Sequence, residues 1–454
     1  MAAGDANCPA KPVERPSVEP VEPDAPATRS LDITMTRVET KIVPQINAAQ
    51  LVAELESLAA FSDSPAPAVT RIVFSETDRR ARRYVKDLCA TAGLVVREDA
   101  VGNTFARWIG SQPNLPAIGT GSHVDAIPNA GRYDGTVGVL GGLEAIRALQ
   151  RCGFHPRRSI ELVLFTSEEP TRFGIGCLGS RLLSGTLTPQ QAMSLADKEG
   201  KSLDEWRMEA GFRGELSTVL VPRGHYAGFV ELHIEQGPLL EQHGTALGVV
   251  TAIAAPASLR IWIEGEGGHA GAVLMPQRRD ALCAAAEIAL AVEAAAHETG
   301  SIDTVATTGV FDVFPGAINS IPLRVRLEID VRDIDQRRRD SVLARIQSSC
   351  DEVAARRRVQ VRAEIINADP PAQCDGSIIE ALTGGAVRQG LDSERMVSRA
   401  YHDSLFMAGI APVAMLFIPC RGGFSHRPDE YASPEAISNG VLVLAEALAE
   451  LANS

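Results

Sequence analysis

The sequence predicts an α/β protein with a mixed sheet, whose first domain is discontinuous because a smaller ferredoxin-like domain interrupts it. Three observations predict this fold. Apolar strands alternate with helices from Ala48 to Thr166. The order then changes to β-α-β-β-α-β, which is typical of a ferredoxin-like unit. After Pro370 and Pro371 the α/β alternation resumes.

The first part of the chain alternates helices and strands. Gly93 and Gly153 stand where two of the helices are expected to end. The apolar run from Ile160 to Phe165 is typical of a buried strand. We expect helices at Ala48–Ala60, Thr77–Ala92 and Val137–Cys152, and strands at Leu94–Glu98, Thr104–Ile109, Pro116–His123 and Ser159–Thr166.

The interrupting segment is predicted to span residues 251–366, so the first domain comprises residues 43–250 and 367–454. After it, Val413–Ile418 reads as an apolar strand, and Ser433 followed by Pro434 marks the start of the last helix. Residues 1–42 are rich in proline and acids, and we expect a disordered tail there. Within the interrupting segment we expect strands at Ser258–Glu264, Thr304–Phe311, Arg324–Arg332 and Val359–Ile366, and helices at Pro276–Glu298 and Asp335–Arg357.

The composition excludes several kinds of partner. The net charge is -13, which disfavours binding to nucleic-acid phosphates or to anionic membranes. No apolar run approaches the roughly 18–20 residues that span a bilayer. The eight cysteines are scattered, as in reduced proteins, and the N-terminus lacks the apolar core of a secretory signal. We therefore expect a cytoplasmic protein.

Histidines and carboxylates recur directly after predicted strands or in glycine-rich turns, where open α/β sheets bind their ligands. Imidazole and carboxylate groups without thiolate are typical ligands of manganese or zinc. Taken singly, each position has another reading, because a lone histidine is more often a buried structural residue and paired glutamates are usually solvated. The candidates are His123, Asp125, Asp134, Glu168, Glu169, His233 and His426.

Several motifs occur in a characteristic order from about residue 45 to the C-terminus. They are His123-Val124-Asp125, Tyr133-Asp134-Gly135-Thr136-Val137-Gly138, Thr166-Ser167-Glu168-Glu169, Leu232-His233-Ile234-Glu235-Gln236-Gly237 and Ser425-His426. In these motifs the chain resembles the dinuclear amidohydrolases related to aminoacylase and the zinc carboxypeptidases. The subgroup that it resembles contains allantoate amidohydrolase, N-carbamoyl-L-amino-acid amidohydrolase, β-ureidopropionase and ureidoglycolate amidohydrolase. Residues 165–174, 267–276, 399–407 and 417–420 are most similar to the ureidoglycolate-hydrolysing branch.

The resemblance implies a peptidase-like catalytic domain that binds two divalent metal ions, with manganese expected first and zinc second. His123, Asp134 and His233 would bind one ion. Asp134, Glu169 and His426 would bind the other, so Asp134 would bridge the two. Glu168 would act as the general base, and Asp125 would orient the ring of His123.

The resemblance also implies a set of substrate-binding residues. Asn319 and Arg332 would hold the carboxylate of a small anionic ureido substrate, although a turn former and a surface strand residue are the other readings. His269 would stabilise the carbonyl oxyanion from the partner subunit's lid, which makes residues 251–366 a lid and dimerisation domain and the protein a homodimer. Further substrate contacts are expected from Gln236, Tyr401 and His402.

The implied reaction is hydrolysis of the ureido C–N bond of ureidoglycolate to glyoxylate, ammonia and carbon dioxide, within purine or allantoin catabolism. The alternatives within enzymes are allantoate amidohydrolase and N-carbamoyl-L-amino-acid hydrolase. An inactive metal-binding sensor or interaction protein is the alternative of another class, and the presence of all five ligands and Glu168 disfavours it. Plant members of this branch carry a targeting sequence for the endoplasmic reticulum, which is therefore the alternative compartment.

Overall fold

The computed structural model describes residues 9–13 and 44–454. The predicted disordered tail at residues 1–42 lies outside the described residues except for 9–13, which are exposed and form neither helix nor strand. The structure therefore begins its regular elements at the first predicted helix.

The strands and helices alternate along the chain as predicted, with additional short helices between residues 178 and 243. The strands are β1 (Val69–Arg71), β2 (Val95–Glu98), β3 (Thr104–Trp108), β4 (Ala117–Ser122), β5 (Ala126–Ala130), β6 (Ile160–Leu164), β7 (Tyr226–Ile234), β8 (Leu247–Ile253), β9 (Ala255–Glu264), β10 (Gly268–His269), β11 (Val305–Phe314), β12 (Ser320–Ile321), β13 (Arg324–Asp333), β14 (Gln360–Ala368), β15 (Ala372–Gln373), β16 (Ser393–Ser398) and β17 (Val413–Ile418). The α-helices are α1 (Ala48–Ala59), α2 (Glu76–Thr91), α3 (Thr136–Arg151), α4 (Leu178–Ser184), α5 (Pro189–Met193), α6 (Leu203–Ala210), α7 (Leu239–His243), α8 (Ala281–Glu298), α9 (Gln336–Arg357), α10 (Gly376–Arg388), α11 (Asp403–Met407) and α12 (Pro434–Asn453).

A nine-stranded mixed sheet organises the larger part of the molecule, which confirms the predicted α/β class. Its order is β15-β8-β17-β7-β4-β6-β3-β2, with β16 paired to β8. The four central strands β17, β7, β4 and β6 are mutually parallel. Helices α1, α3, α10 and α12 pack on one face, and α4 and α6 contribute to the core on the other. Every residue of β17 is buried, as expected for a parallel strand covered on both faces.

A second, four-stranded antiparallel sheet is built from residues 255–368. Its order is β11-β13-β9-β14, and α8 and α9 pack against it around a separate apolar core. This is the predicted β-α-β-β-α-β arrangement. Helix α8, however, begins five residues later than the predicted start at Pro276. Asp280 is its N-cap and accepts the N–H groups of Leu282 and Cys283, so the regular helix starts only after it.

Among the described residues, no helix combines the length and the apolar composition that crossing a bilayer requires.

Candidate metal centre

The carboxyl ends of the four central parallel strands carry the predicted ligands. His123 directly follows β4, and Glu168 and Glu169 follow β6. His233 lies near the end of β7, and His426 lies in a turn after β17. Asp134 sits on the glycine-rich turn before α3. Neighbouring parallel strands end at the same edge of the sheet, so these residues meet although more than 300 positions separate the first from the last. We call the five residues His123, Asp134, Glu169, His233 and His426 the pentad.

Backbone carbonyls fix how two of the histidines present their rings. Nδ1 of His123 lies 3.1 Å from the Asp125 carbonyl oxygen, and Nδ1 of His233 lies 2.9 Å from the Ile234 carbonyl oxygen. A carbonyl oxygen only accepts, so each Nδ1 must carry the hydrogen in these bonds. The neutral ring therefore directs the bare Nε2 of both histidines into the pentad, which is the form of imidazole that binds metal ions.

Asp134 occupies the centre of the pentad and directs its two oxygens to different histidines. Oδ1 lies 3.5 Å from Nε2 of His123 and 3.2 Å from Nε2 of His233. Oδ2 lies 3.4 Å from Nε2 of His426, which in turn lies 3.4 Å from Oε1 of Glu169. This arrangement gives two groups of side chains that could each hold a cation, and the two groups share only Asp134.

These separations fit a metal site better than a set of ion pairs. Charge-assisted hydrogen bonds of this type are about 2.7–2.9 Å long. Ligand atoms placed about 2.1 Å from one tetrahedral ion are instead about 3.4 Å apart. The observed 3.2–3.5 Å matches the second value. Two bare Nε2 atoms facing one carboxylate oxygen also repel it unless a cation lies between them, so the pentad fits a pair of divalent ions.

The turn after β6 places Glu168 beside the pentad. Its Oε2 lies 3.7 Å from Nε2 of His123, and the Cys177 thiol donates to its Oε1 at 3.3 Å. The sequence predicts that the Asp125 carboxylate orients the His123 ring. That carboxylate instead accepts the backbone N–H groups of Glu168 at 3.2 Å and Glu169 at 3.1 Å. Asp125 thus bonds the ring through its main chain, while its carboxylate, with Oδ1 3.8 Å from Nδ1 of His123, holds the turn that carries both glutamates.

The electrostatics of the site follow from burial and close charges. Burial, with the neighbouring Glu169 charge, raises the pKa of Glu168 well above its ordinary value. Burial and the Asp134 charge raise the pKa of Glu169 to about 7. Burial also opposes ionisation of Asp134, but the three histidines that face it lower its pKa well below the usual range. Asp134 is therefore the most firmly ionised carboxylate of the group.

Three further predicted residues have partners within the protein, and two of them, Gln236 and His402, contact the pentad. Gln236 donates from Nε2 to Oδ2 of Asp134 at 2.7 Å. The His402 ring packs behind His233, with the ring centroids 4.6 Å apart, and burial lowers its pKa well below the ordinary value. The Tyr401 hydroxyl donates its hydrogen bond to Asp369 at 2.6 Å. A substrate that used Tyr401 as a donor would have to replace this bond.

The remaining predicted residues lie on the part of the chain that forms the four-stranded sheet. His269 and Asn319 are exposed and adjacent, because β10 pairs with β12 and the Asn319 carbonyl accepts the Ala270 N–H. Arg332 is half-buried on β13, bonded to Asp330 and to the Arg399 carbonyl. Within residues 44–454, no hydrogen bond or ion pair links these three side chains to the pentad.

Three residues that sequence reasoning did not select also contact this centre: Cys177, Ser425 and Glu430. Ser425 Oγ lies 2.7 Å from Oδ2 of Asp134, and Glu430 accepts the Asp134 N–H. The only available signal for Ser425 and Glu430 was their nearness to His426 in the chain. Cys177 offered no such signal, because it lies in a loop eight residues after Glu169.

Comparison with known proteins places this arrangement among hydrolases. The sequence pattern of peptidase family M20/M25/M40 matches residues 119–450. Ureidoglycolate hydrolase of Arabidopsis thaliana is 54% identical over 413 residues, covering 89% of this chain and 87% of that protein. Ureidoglycolate hydrolase of Oryza sativa subsp. japonica is 56% identical over 405 residues, covering 88% and 83%. Allantoate amidohydrolase of Bacillus subtilis (strain 168) is 35% identical over 404 residues, covering 88% and 96%.

Solved structures agree with the sequence comparison. The crystal structure of AtUAH in complex with glyoxylate superposes with a TM-score of 0.81 at 54% identity, covering 90% of this chain and 99% of that one. A second AtUAH structure, in complex with (S)-hydroxyglycine, has the same TM-score at 53% identity and covers the same shares of the two chains. The predicted resemblance and the predicted fold class are thereby confirmed.

Proposed function

Because this chain belongs to peptidase family M20/M25/M40 and is a hydrolase, we propose that it hydrolyses ureidoglycolate with the help of two divalent metal ions. The observation that carries the metal chemistry is the placement of Asp134, whose two oxygens face two separate ligand groups. The substrate assignment is supported by 54–56% identity to ureidoglycolate hydrolases, against 35% to an allantoate amidohydrolase.

The proposed chemistry divides between the pentad and Glu168. When bound, the two ions supply Lewis-acid activation of the water that attacks the ureido carbonyl. Glu168 accepts a proton of that water and delivers it to the leaving nitrogen. Asp125 keeps Glu168 in place through the backbone of the turn, and the Cys177 thiol fixes one oxygen of its carboxylate. Glu168 can thus exchange a proton without leaving its position.

The proposed reaction balances without a further reactant. Water cleaves the bond between the carbonyl carbon and the substituted nitrogen, giving carbamate and hydroxyglycine. Carbamate decomposes to ammonia and carbon dioxide, and hydroxyglycine loses ammonia to give glyoxylate. The similarity to AtUAH supports this course, because the structures of that protein contain (S)-hydroxyglycine and glyoxylate.

A substrate panel tests the proposal. We expect the manganese-loaded protein to show a higher kcat/KM for ureidoglycolate than for allantoate or for N-carbamoyl-L-amino acids. A higher value for either competitor would overturn the substrate and leave the reaction class standing. Protein that binds metal but hydrolyses none of these compounds would favour the sensor alternative instead.

We propose manganese as the resident metal and zinc as the second choice. Members of this family bind divalent metals, and a set of three imidazoles and two carboxylates without thiolate suits both ions. Elemental analysis of the purified protein should find two ions per chain. Reconstitution of the metal-free protein with each ion should restore more turnover with manganese; more turnover with zinc would reverse the order.

We also propose that residues 251–366 act as a lid and dimerisation domain on the catalytic domain of residues 43–250 and 367–454. In this proposal the partner subunit's His269 stabilises the oxyanion, while Asn319 and Arg332 hold the substrate carboxylate. The exposure of His269 and Asn319 supports this proposal, because side chains that contact the substrate only after the lid closes are solvent-exposed while the lid is open. The proposal therefore raises a testable question, which is whether His269 serves the partner's site rather than its own.

Mixing two inactive variants answers that question. In a dimer of one His269→Ala chain and one Glu168→Gln chain, one site would combine an intact Glu168 with the partner's intact His269. Random exchange should therefore restore about a quarter of the wild-type activity. No recovery in a mixture that forms mixed dimers would place His269 in its own chain's site, and a monomer in light scattering would overturn the dimer.

For the cellular compartment we propose the cytoplasm, with the endoplasmic reticulum as the alternative. Support comes from the seven cysteines in the described residues, all of which are free thiols. Fractionation with antibodies against the native protein tests the proposal, and recovery in the endoplasmic reticulum would reverse it.

A further inference from the structure

Glu430 joins the turn that carries Asp134 to the turn that carries His426. Its Oε1 accepts the backbone N–H of Tyr133 at 2.7 Å and that of Asp134 at 3.1 Å. Its Oε2 lies 3.1 Å from the hydroxyl of Ser425, the residue before His426. One buried carboxylate, only 4% exposed, therefore contacts both turns.

The surroundings of Glu430 are shaped to receive it. A side chain at Gly131 would place its Cβ 2.3 Å from both Cβ and Cδ of Glu430, so glycine leaves the space that the carboxylate fills. The rings of Tyr133 and Tyr431 pack edge to face beside it, with centroids 6.1 Å apart. This close packing holds the carboxylate where it meets both N–H groups.

The second ligand group depends on the spacing between these two turns. Asp134 and His426 come from distant parts of the chain, and their facing atoms, Oδ2 and Nε2, lie 3.4 Å apart. Ser425 also bridges the turns, since its Oγ lies 2.7 Å from Oδ2 of Asp134. Its single proton can serve only one carboxylate at a time, however. The two backbone bonds to Glu430 are independent of that proton.

We propose that Glu430 is a positioning residue that sets the distance between Asp134 and His426 and thereby completes the second metal group. The proposal rests on the proposed function in taking the pentad as metal ligands. In the first group, His123 and His233 have their own anchors and only Asp134 lies on a turn that Glu430 holds, whereas in the second group Asp134 and His426 both lie on the turns that Glu430 joins. Loss of Glu430 should therefore affect the two groups unequally.

The variants separate this role from a general effect on stability. Glu430→Ala removes the acceptor from both turns. Glu430→Gln keeps a carbonyl oxygen that can accept the same two N–H groups. Glu144→Ala is the matched control, because Glu144 is a fully buried carboxylate on α3 that accepts the Asn47 N–H at 2.7 Å. Glu144 makes no hydrogen bond to the pentad among the described residues.

Calorimetric titration of Mn²⁺ into the metal-free full-length proteins is the decisive measurement. Removing a partner that holds metal ligands commonly weakens metal binding about 10- to 100-fold. We expect Glu430→Ala to weaken the second Mn²⁺ at least about tenfold and the first less than about threefold. Glu430→Gln and Glu144→Ala should stay within about threefold of the wild type at both sites. In turnover assays, Glu430→Ala should need more Mn²⁺ for half-maximal activity and recover kcat at saturation.

Wild-type affinity at both sites in Glu430→Ala would overturn the proposal, as would an equal loss in Glu430→Gln or Glu144→Ala. If Glu430→Ala does not fold, Glu430→Asp, whose carboxylate is one methylene shorter, undergoes the same titration with the same expectations. The wild type reports separately on the proposed function. Fewer than two bound Mn²⁺ would contradict the metal centre itself, and two bound Mn²⁺ without ureidoglycolate turnover would contradict only the substrate.

Discussion

The pentad and the group made of His269, Asn319 and Arg332 are held in opposite ways. His123 and His233 are almost fully buried at the ends of central strands, and their rings bond to neighbouring carbonyls. His269 and Asn319 are exposed on short strands and turns next to the four-stranded sheet. The groups that we propose for water activation are thus assembled within one chain, whereas no hydrogen bond or ion pair among the described residues joins them to the three that we propose for substrate recognition.

The difference has a physical basis. Metal ligands of like charge repel each other unless the fold holds them, so they need buried anchors before any ion arrives. Substrate-binding groups gain from staying open, because a site that is closed in advance admits no substrate. Substitutions in the pentad should therefore abolish chemistry. In the second group, substitutions of Asn319 and Arg332 should change mainly KM, whereas loss of His269, the proposed oxyanion partner, should lower kcat.

Asp134→Ala should give the largest effect. It removes the one residue that both ligand groups share, so both ions should be lost and kcat/KM should fall by at least about 10³-fold. Elemental analysis and ureidoglycolate turnover measure the two losses. Asp429→Ala, which removes an exposed carboxylate near His426 that pairs with Arg427, should keep both ions. Two ions retained in Asp134→Ala would show that the pentad is not the metal centre.

Glu168→Gln should be next in size. The amide cannot take a proton from water, so kcat should fall about 10²- to 10⁴-fold. The metal content should stay at two ions, because Glu168 lies beside the pentad rather than in it. Single-turnover kinetics and elemental analysis of the same preparation check both statements. Turnover at the wild-type rate would remove Glu168 as the base.

The two regions also differ in how far the sequence could predict them. Local signals made the pentad residues candidates, because each lies at or after the end of a strand or in a glycine-rich turn, and the order of the motifs in the family resemblance selected them as a set. The bond from Tyr401 to Asp369 could not be foreseen, since it depends on how the end of β14 packs against a distant loop. Residues two positions apart on a strand share a face, and this spacing predicts that the Asp125 carboxylate contacts His123. The turn after β6 brings two N–H groups closer to that carboxylate.

Arg332→Lys should have an intermediate effect confined to KM. Lysine keeps the charge but loses the planar pair of donors that suits a carboxylate. A lost hydrogen bond to a charged group costs about 1.5–3 kcal/mol, so KM should rise about 10- to 100-fold. We expect kcat to change less than about threefold. Arg326→Lys is the matched control, because Arg326 lies on the same strand in an exposed pair with Asp312. A fall in kcat with an unchanged KM would assign Arg332 to the chemical step instead.

Cys177→Ala should have the smallest effect, and it tests how tightly the buried region holds its groups. The thiol donates to Oε1 of Glu168 at 3.3 Å, and burial raises its pKa well above the ordinary value, so it remains a donor at neutral pH. Losing one modest hydrogen bond should lower kcat about three- to tenfold. Cys177→Ser restores a donor and should recover most of the rate. Cys350→Ala removes a fully buried thiol beneath the four-stranded sheet and should lower the melting temperature without changing kcat. If Cys177→Ala and Cys350→Ala lowered kcat equally, the Cys177 thiol would contribute only packing. Its hydrogen bond would then not be needed to hold the Glu168 carboxylate in position.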